Sequence, residues 1–361
     1  MTMGSWDTSR NRTIGIDLWA HQVRGQGGNA CTLAFAAARP HPQNVRREMR
    51  DMFLTAYRAV ADRCRAIDEP GLAIIAVHET TGMPQGIVRL MARVERHVAA
   101  IVGRHDHADL YLANSENMAL RQVAIILDPV KSWERGNTAV HYRLLDLRTS
   151  TGFSDEQGRP LRGLRCEGPA LLRAAGHALF LLPVGDPTDW PVRAEDAWDC
   201  LPERVYFDEL ARRPDGSFTH MPRIVQHRRR SVMIRTVGPH DTSRSFATGQ
   251  RMVAFGPAAG ILEIEGPRIT GAIEIGNDEL RDGILLGRYE RCANAALADD
   301  NSLSRVHALM IQIDDRLLVV DTCSINGTRI PGQHRGRVFE LGGDTELQLG
   351  KATRMRWRYV S

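Results

Sequence analysis

The sequence is nearly without lysine: Lys131 and Lys351 are the only two, so the rest of the 47 basic side chains are arginines. We read this bias as the mark of a GC-rich, hence bacterial, genome and not as a functional signal. The six cysteines (Cys31, Cys64, Cys166, Cys200, Cys292 and Cys323) contain no C-x-x-C pair. That argues against a zinc ribbon, and such scattered spacing suggests no disulfide framework in so large a chain. No apolar run approaches ~18 residues, the length of a membrane span, and the polar stretch from Met1 to Gln26 has no export-type hydrophobic segment. A dominant charge sign is missing too. The 47 basic and 43 acidic residues leave +4, too little for a strong nucleic-acid or membrane field. Also absent are G-x-S-x-G, a P-loop, H-E-x-x-H and any kinase signature. These absences lead us to expect a reduced, cytoplasmic protein that is not an enzyme. It is expected to need no cofactor and no metal, to bind no nucleic acid and to insert into no membrane.

What is present reads as a soluble globular chain, with 43% hydrophobic and 25% charged residues and length for two or three domains. Val45, Met49, Met52, Phe53, Tyr57, Val60 and Cys64 recur mostly at steps of three and four. This spacing predicts an amphipathic helix over about 42–66, inside an N-terminal extension of residues 1–85. From Gly86 onward, and again from Gly271, short apolar runs alternate with Gly/Asp/Asn turns, a β-sandwich pattern. The fold class is therefore mainly β, with two sandwiches in tandem at 86–185 and 266–361 and a connector with extra strands at 186–265. Whether the runs between Ser231 and Gly266 extend the second sandwich or form a small layer between the two stays open.

Comparing the two sandwich stretches shows an internal repeat. His97 to Arg104 parallels Gly283 to Arg288, and Leu120 to Ala124 parallels Ser304 to Ala308. Asp146 to Gly152 parallels Asp321 to Gly327, and Gly168 to Val184 parallels Gly343 to Val360. The second copy carries a polar set with phosphate chemistry. Arg288, after Gly287 at a strand end, offers a planar fork matched to phosphate oxygens. Ser304 is small enough for a direct hydroxyl bond, and Arg305 stands beside it. Asn326 precedes Gly327, a pair suited to a positive-φ turn, and Thr328 anchors it. A phosphothreonine presents nearly two negative charges and several acceptor oxygens to such a set.

In order, G-R (287–288), S-R-x-H (304–307), S-x-N-G-T (324–328) and the ending Leu341 to Gly350 resemble the forkhead-associated (FHA) domain over roughly Gly271 to Val360. The resemblance implies an FHA β-sandwich that binds phosphothreonine peptides through Arg288, Ser304, Arg305 and Asn326. Gly287, His307, Gly327 and Thr328 would support them, with His307 bracing the loops from below. One departure is Ile325, where the family often has Ser or Thr as a further phosphate ligand; Ser324 points the other way on an extended segment. The first copy resembles a degenerate FHA-like sandwich. It keeps Gly103, Arg104, Arg121 and Ser150, but has Leu120 in place of the serine, Val123 in place of the histidine and Thr151 in place of the asparagine.

The resulting expectation is two FHA-like β-sandwiches in tandem with an N-terminal amphipathic helix, acting as a phosphothreonine-peptide adaptor. Its partner would be a threonine-phosphorylated protein or a Ser/Thr kinase. The alternative is a phospho-independent assembly component, for example of a secretion apparatus, and a third reading places an enzyme in residues 1–85. His105-Asp106-His107-Ala108-Asp109 is read as a solvated loop rather than a metal site. His227 to Arg230 is read as a charged linker.

Overall fold

The computed structural model describes residues 30–34, 47–113, 115–130, 140–208, 231–236, 258–267, 270–289, 292, 297, 300–342 and 345–360. The first elements are β1 (Ala30–Ala34), α1 (Met49–Arg65), β2 (Gly71–His78), β3 (Pro84–Met91), β4 (Val98–Gly103), β5 (Leu110–Tyr111) and β6 (Val123–Leu127). There follow β7 (His141–Asp146), β8 (Phe153–Ser154), β9 (Pro160–Leu161), β10 (Gly163–Glu167), β11 (Ala170–Ala174) and β12 (His177–Val184). Then come α2 (Ala194–Cys200), β13 (Glu203–Asp208), β14 (Ser231–Thr236), β15 (Ala258–Glu265), β16 (Thr270–Gly276) and α3 (Asn277–Asp282). The chain closes with β17 (Ile284–Leu286), β18 (Ala308–Ile313), β19 (Arg316–Asp321), β20 (Thr328–Arg329), β21 (Val338–Glu340), β22 (Glu346–Leu349) and β23 (Thr353–Tyr359).

These strands build two sandwiches. The first stacks the sheet β1-β3-β2-β12-β11-β8-β9 on the sheet β13-β14-β10-β7-β6-β4-β5. The second stacks β16-β15-β23-β22-β20 on β17-β18-β19-β21. Strand order repeats between them: β3-β2-β12-β11-β8 runs like β16-β15-β23-β22-β20, and β4-β6-β7-β10 like β17-β18-β19-β21.

Burial follows from which faces are covered. Along β2, Leu72, Ile74 and Ala76 enter the core between the sheets, while Ala73, Ile75 and Val77 pack under α1. Alternation places successive side chains on opposite faces, so a strand covered on both sides must be apolar throughout. α1 meets that sheet with Met52, Phe53, Tyr57 and Val60, each essentially buried and worth ~1.5–3 kcal/mol for a large apolar side chain. Phe53 stacks on Tyr57, and Tyr57 on Trp190. By contrast β23 alternates, with Met355 and Trp357 inside and Arg354, Arg356 and Arg358 exposed, because its outer face meets no other element among the described residues.

The sandwiches touch through equivalent sheets. Ile101, Ala124, Ile126 and Leu145 on β4, β6 and β7 pack against Leu285, Leu309, Ile311 and Val320 on β17, β18 and β19 in one buried cluster. Arg316 Nη1 also donates to the Glu95 carbonyl at 3.0 Å across this contact. The order of layers is therefore helices, sheet, sheet, sheet, sheet.

Several boundaries differ from the sequence reading. The helix begins at Met49, residues 41–46 lying outside the described part. The division at 85/86 falls inside the β2–β3 hairpin: β1 pairs with β3, and β2 pairs with β12 over its full length, so the first sandwich draws strands from before Gly86. Similarly β15, assigned to the connector, pairs with both β16 and β23 and belongs to the second sandwich. β14 instead joins the first, antiparallel to β10 and parallel to β13. The open question about residues 231–266 is thus divided between the two sandwiches. His227 to Arg230 and residues 1–29 lie outside the described residues. The described cysteines Cys64, Cys166, Cys200, Cys292 and Cys323 are free thiols. Among the described residues no helix is long and apolar enough to cross a membrane.

Candidate functional site

Three loop segments converge at one end of the second sandwich. β17 ends at Leu286, and Gly287 runs so close to the next segment that a Cβ there would lie 2.3 Å from the Arg305 carbonyl oxygen. Only glycine permits that approach. The Arg288 amide then donates to Ser304 O at 3.3 Å, the Tyr289 amide to Arg305 O at 3.0 Å and the His307 amide to Leu286 O at 2.7 Å. These bonds fix Arg288 beside Ser304 and Arg305.

His307 is fully buried and ties the third segment to the other two. Its Nδ1 accepts the Ser304 amide hydrogen at 3.1 Å, which leaves Nε2 protonated to donate to Gly327 O at 3.3 Å. Burial pushes its pKa below the ordinary 6.5, partly opposed by Asp321, so the ring stays neutral. Asp321 organises the turn: it accepts from the Ser324 amide at 2.8 Å, the Ser324 hydroxyl at 2.6 Å and the Thr328 hydroxyl at 2.8 Å. Gly327 sits at φ 74°, where a side chain would be strained. Ser324 is thus spent inside the turn and is no ligand.

On this frame the polar groups are displayed unequally. Ser304 is buried, its Oγ accepting the Ile325 amide hydrogen at 3.1 Å. That leaves the hydroxyl proton able to donate. Arg288 and Arg305 are exposed, and neither side chain makes a hydrogen bond or ion pair among the described residues. Asn326 uses one Nδ2–H on Ser302 O at 2.7 Å, which orients the side chain and leaves its amide oxygen for an incoming chain. Ile325 is 59% exposed at the rim. A further cation joins them that sequence reasoning passed over. Arg335 lays its side chain across Gly327, whose hypothetical Cβ would meet Arg335 Cδ at 2.5 Å, and its Nη1 lies 3.5 Å from Ile325 O. No motif spacing marks Arg335; only the fold brings it there.

Residues 284–350 match the family model of the FHA domain. This part of the chain is an FHA domain. Similar solved structures include one described as an analysis of phosphothreonine-dependent FHA domain interactions, 16% identical, covering 28% of this chain and 98% of that one, with a TM-score of 0.24. An FHA domain from Chlamydia trachomatis is 22% identical over 29% of this chain and 100% of its own, TM-score 0.25. One from Mycobacterium tuberculosis is 17% identical over 28% and 99%, TM-score 0.23. No curated protein matches the chain in sequence.

The first sandwich repeats the frame of the FHA domain without its displayed groups. The Gln122 amide donates to Val102 O at 2.8 Å, as the His307 amide does to Leu286 O. Gln122 Oε1 accepts the Ala119 amide hydrogen at 2.9 Å, and Gln122 Nε2 donates to Gly152 O at 2.8 Å. These are the two bonds of His307, made by an amide. Thr149 bonds Asp146 through its amide and hydroxyl, as Ser324 bonds Asp321. The pairings Val102 with Val123 and Leu286 with Ala308 set the register. Ala119 therefore stands where the FHA domain has Ser304, Leu120 where it has Arg305, and Gln122 where it has His307. The sequence alignment was one residue out here, with Leu120 opposite the serine and Val123 opposite the histidine. Arg121, of the same residue type as Arg305, occupies the Val306 position and faces the other sandwich. Arg104 keeps the Arg288 position, but its Nε donates to Met118 O at 2.7 Å.

His105, Asp106 and His107 bring donor atoms within 4.8 Å of one another. The His105 Nδ1 already accepts the His107 amide hydrogen at 3.1 Å, and Asp106 and His107 are exposed. The donor set is an open loop folded on itself.

Proposed function

We propose that the chain is a phosphothreonine-peptide-binding adaptor acting through its C-terminal FHA domain. The observation that carries this is the pairing of two exposed arginines, without side-chain partners among the described residues, with the buried Ser304 hydroxyl. Arg288 supplies a fork for the phosphate oxygens, Ser304 Oγ–H donates to one of them, and Arg305 adds the second cation. Asn326 offers its amide oxygen to a peptide N–H. Three or four such charge-assisted bonds, worth ~1.5–3 kcal/mol each, sustain micromolar binding after association costs. Gly287, His307, Gly327 and Thr328 shape these loops without touching the ligand. Binding is reversible and involves no turnover.

In this reading the partner is a threonine-phosphorylated protein, the product of a Ser/Thr kinase or the kinase itself, in the cytoplasm. The first sandwich is a degenerate FHA-like copy: Ala119 and Leu120 remove the hydroxyl and the cation, so it binds no phosphothreonine. Titration of the full chain with a phosphothreonine peptide and its unphosphorylated twin tests the proposal. Equal affinities sink it. One observation favours a second reading, a phospho-independent assembly contact: the exposed Ile325 puts an apolar side chain at the rim of the site. Capture of a partner that survives phosphatase treatment selects that reading.

A further inference from the structure

Arg121 is buried between the two sandwiches, and its guanidinium serves the other one. It donates through Nε to the Thr322 carbonyl and through Nη2, at 2.7 Å, to the Cys323 carbonyl. These two residues open the turn that carries Ser324 to Thr328. Cys323 itself has φ 63°, a conformation that a residue other than glycine keeps only where its surroundings hold it.

A second tie comes from the same side. Arg337 Nη1 donates to Asp321 O at 3.0 Å and lies 3.0 Å from Cys323 Sγ, while its Nη2 pairs with Asp109 of the first sandwich at 3.1 Å. Asp109 is anchored in turn by the Ile101 amide at 2.8 Å. The strained corner of the recognition turn thus leans on Arg121 directly and on Asp109 through Arg337. The apolar sheet contact beneath fixes both donors in place.

We propose that the first sandwich braces the phosphopeptide turn in cis, with Arg121 as its positioning residue. This rests on the phosphopeptide reading above and adds a role for the copy that has lost the phosphate groups. A guanidinium on two carbonyls restricts where Ser324 and Ile325 lie, and the Ile325 amide is the group bonded to Ser304 Oγ. Relaxing the corner lets that bond open and separates the Ile325–Asn326 segment from Ser304.

The test uses the full chain with Arg121→Met, which fills the buried volume, and Arg121→Lys, which keeps a cation for one carbonyl at a time. Amide hydrogen exchange is read at Ser324 and Ile325 and at the core strand amides of Leu309 and Val319, alongside phosphothreonine-peptide affinity. Arg121→Met is expected to speed exchange at Ser324 and Ile325 alone and to weaken the peptide about tenfold, the scale of one lost hydrogen bond to a charged donor. Arg121→Lys recovers part of both. Wild-type exchange and affinity in a folded Arg121→Met chain overturn the proposal. If Arg121→Met does not fold, Arg121→Lys decides: partial loosening confined to the turn supports the brace, and wild-type behaviour overturns it. If the wild-type chain does not discriminate phosphorylated from unphosphorylated peptide, the phosphopeptide reading and the proposal resting on it both fall. The exchange data then still show whether Arg121 orders the turn.

Discussion

Ser304 Oγ accepts the Ile325 amide hydrogen at 3.1 Å, so one small hydroxyl joins two of the three loops and keeps a proton for a ligand. Ser304→Ala removes both functions and reproduces what Ala119 does in the first sandwich. Phosphopeptide affinity is expected to fall about ten- to hundredfold, the worth of a hydrogen bond to a charged group. Calorimetric titration measures it, and a thermal scan checks that the domain still unfolds cooperatively.

Ile325→Thr tests the rim from the other direction. The exposed isoleucine offers the phosphate no donor, and a neutral hydrogen bond is worth ~0.5–1.5 kcal/mol. The variant is expected to bind a phosphothreonine peptide up to about tenfold more tightly and to leave the unphosphorylated peptide unchanged. The same titrations read it.

His307→Gln should preserve the loop frame that His307→Ala destroys, because Gln122 makes both bonds of the histidine in the first sandwich. The pH profile separates the two side chains. Burial lowers the His307 pKa below 6.5 in the folded chain, whereas the unfolded chain takes up the proton near that ordinary value. The contribution of the neutral ring is complete above pH 6.5 and is lost as pH falls from there towards the lowered folded value. The stability difference between wild type and His307→Gln therefore shrinks as the pH falls through 6.5 towards the lowered folded value. Denaturant midpoints across that range measure it.

Ile311→Ala addresses the contact between the sandwiches. Its side chain is 1% exposed in the shared cluster, on a face that a lone sandwich would show to water. A buried isoleucine cut to alanine costs ~2–5 kcal/mol, and chemical denaturation of the full chain reads the loss. A cost near zero means that the sheets do not stay docked in solution.

Much of the fold was legible because covered faces leave marks in composition. Val98 to Gly103, Val123 to Leu127 and Ala308 to Ile313 are almost continuously apolar, and each is a strand buried on both sides. Alternation in β23 marks the one-sided outer sheet just as clearly. The recognition loops were legible through ordered small motifs, and their glycines answer to real close approaches. Domain limits were not, since β2 and β15 look like linker or extension until their partners β12 and β23 are placed beside them. The register of the first copy also escaped. Arg121, of the same residue type as Arg305, occupies the Val306 position, while hydrogen bonding shows Gln122 doing the work of His307. Arg335 escaped because it acts through space, from no motif, and Asp109, read as part of a solvated loop, is instead buried against the Ile101 amide and Arg337.

The most direct measurement is titration of a phosphothreonine peptide and its unphosphorylated twin against the full chain and Arg288→Ala. Arg288 is exposed, with no side-chain partner among the described residues, so its removal leaves the fold intact. The account predicts that the wild type prefers the phosphorylated peptide and that Arg288→Ala loses most of that preference. Equal affinity for the two peptides, or an unchanged preference in Arg288→Ala, contradicts it.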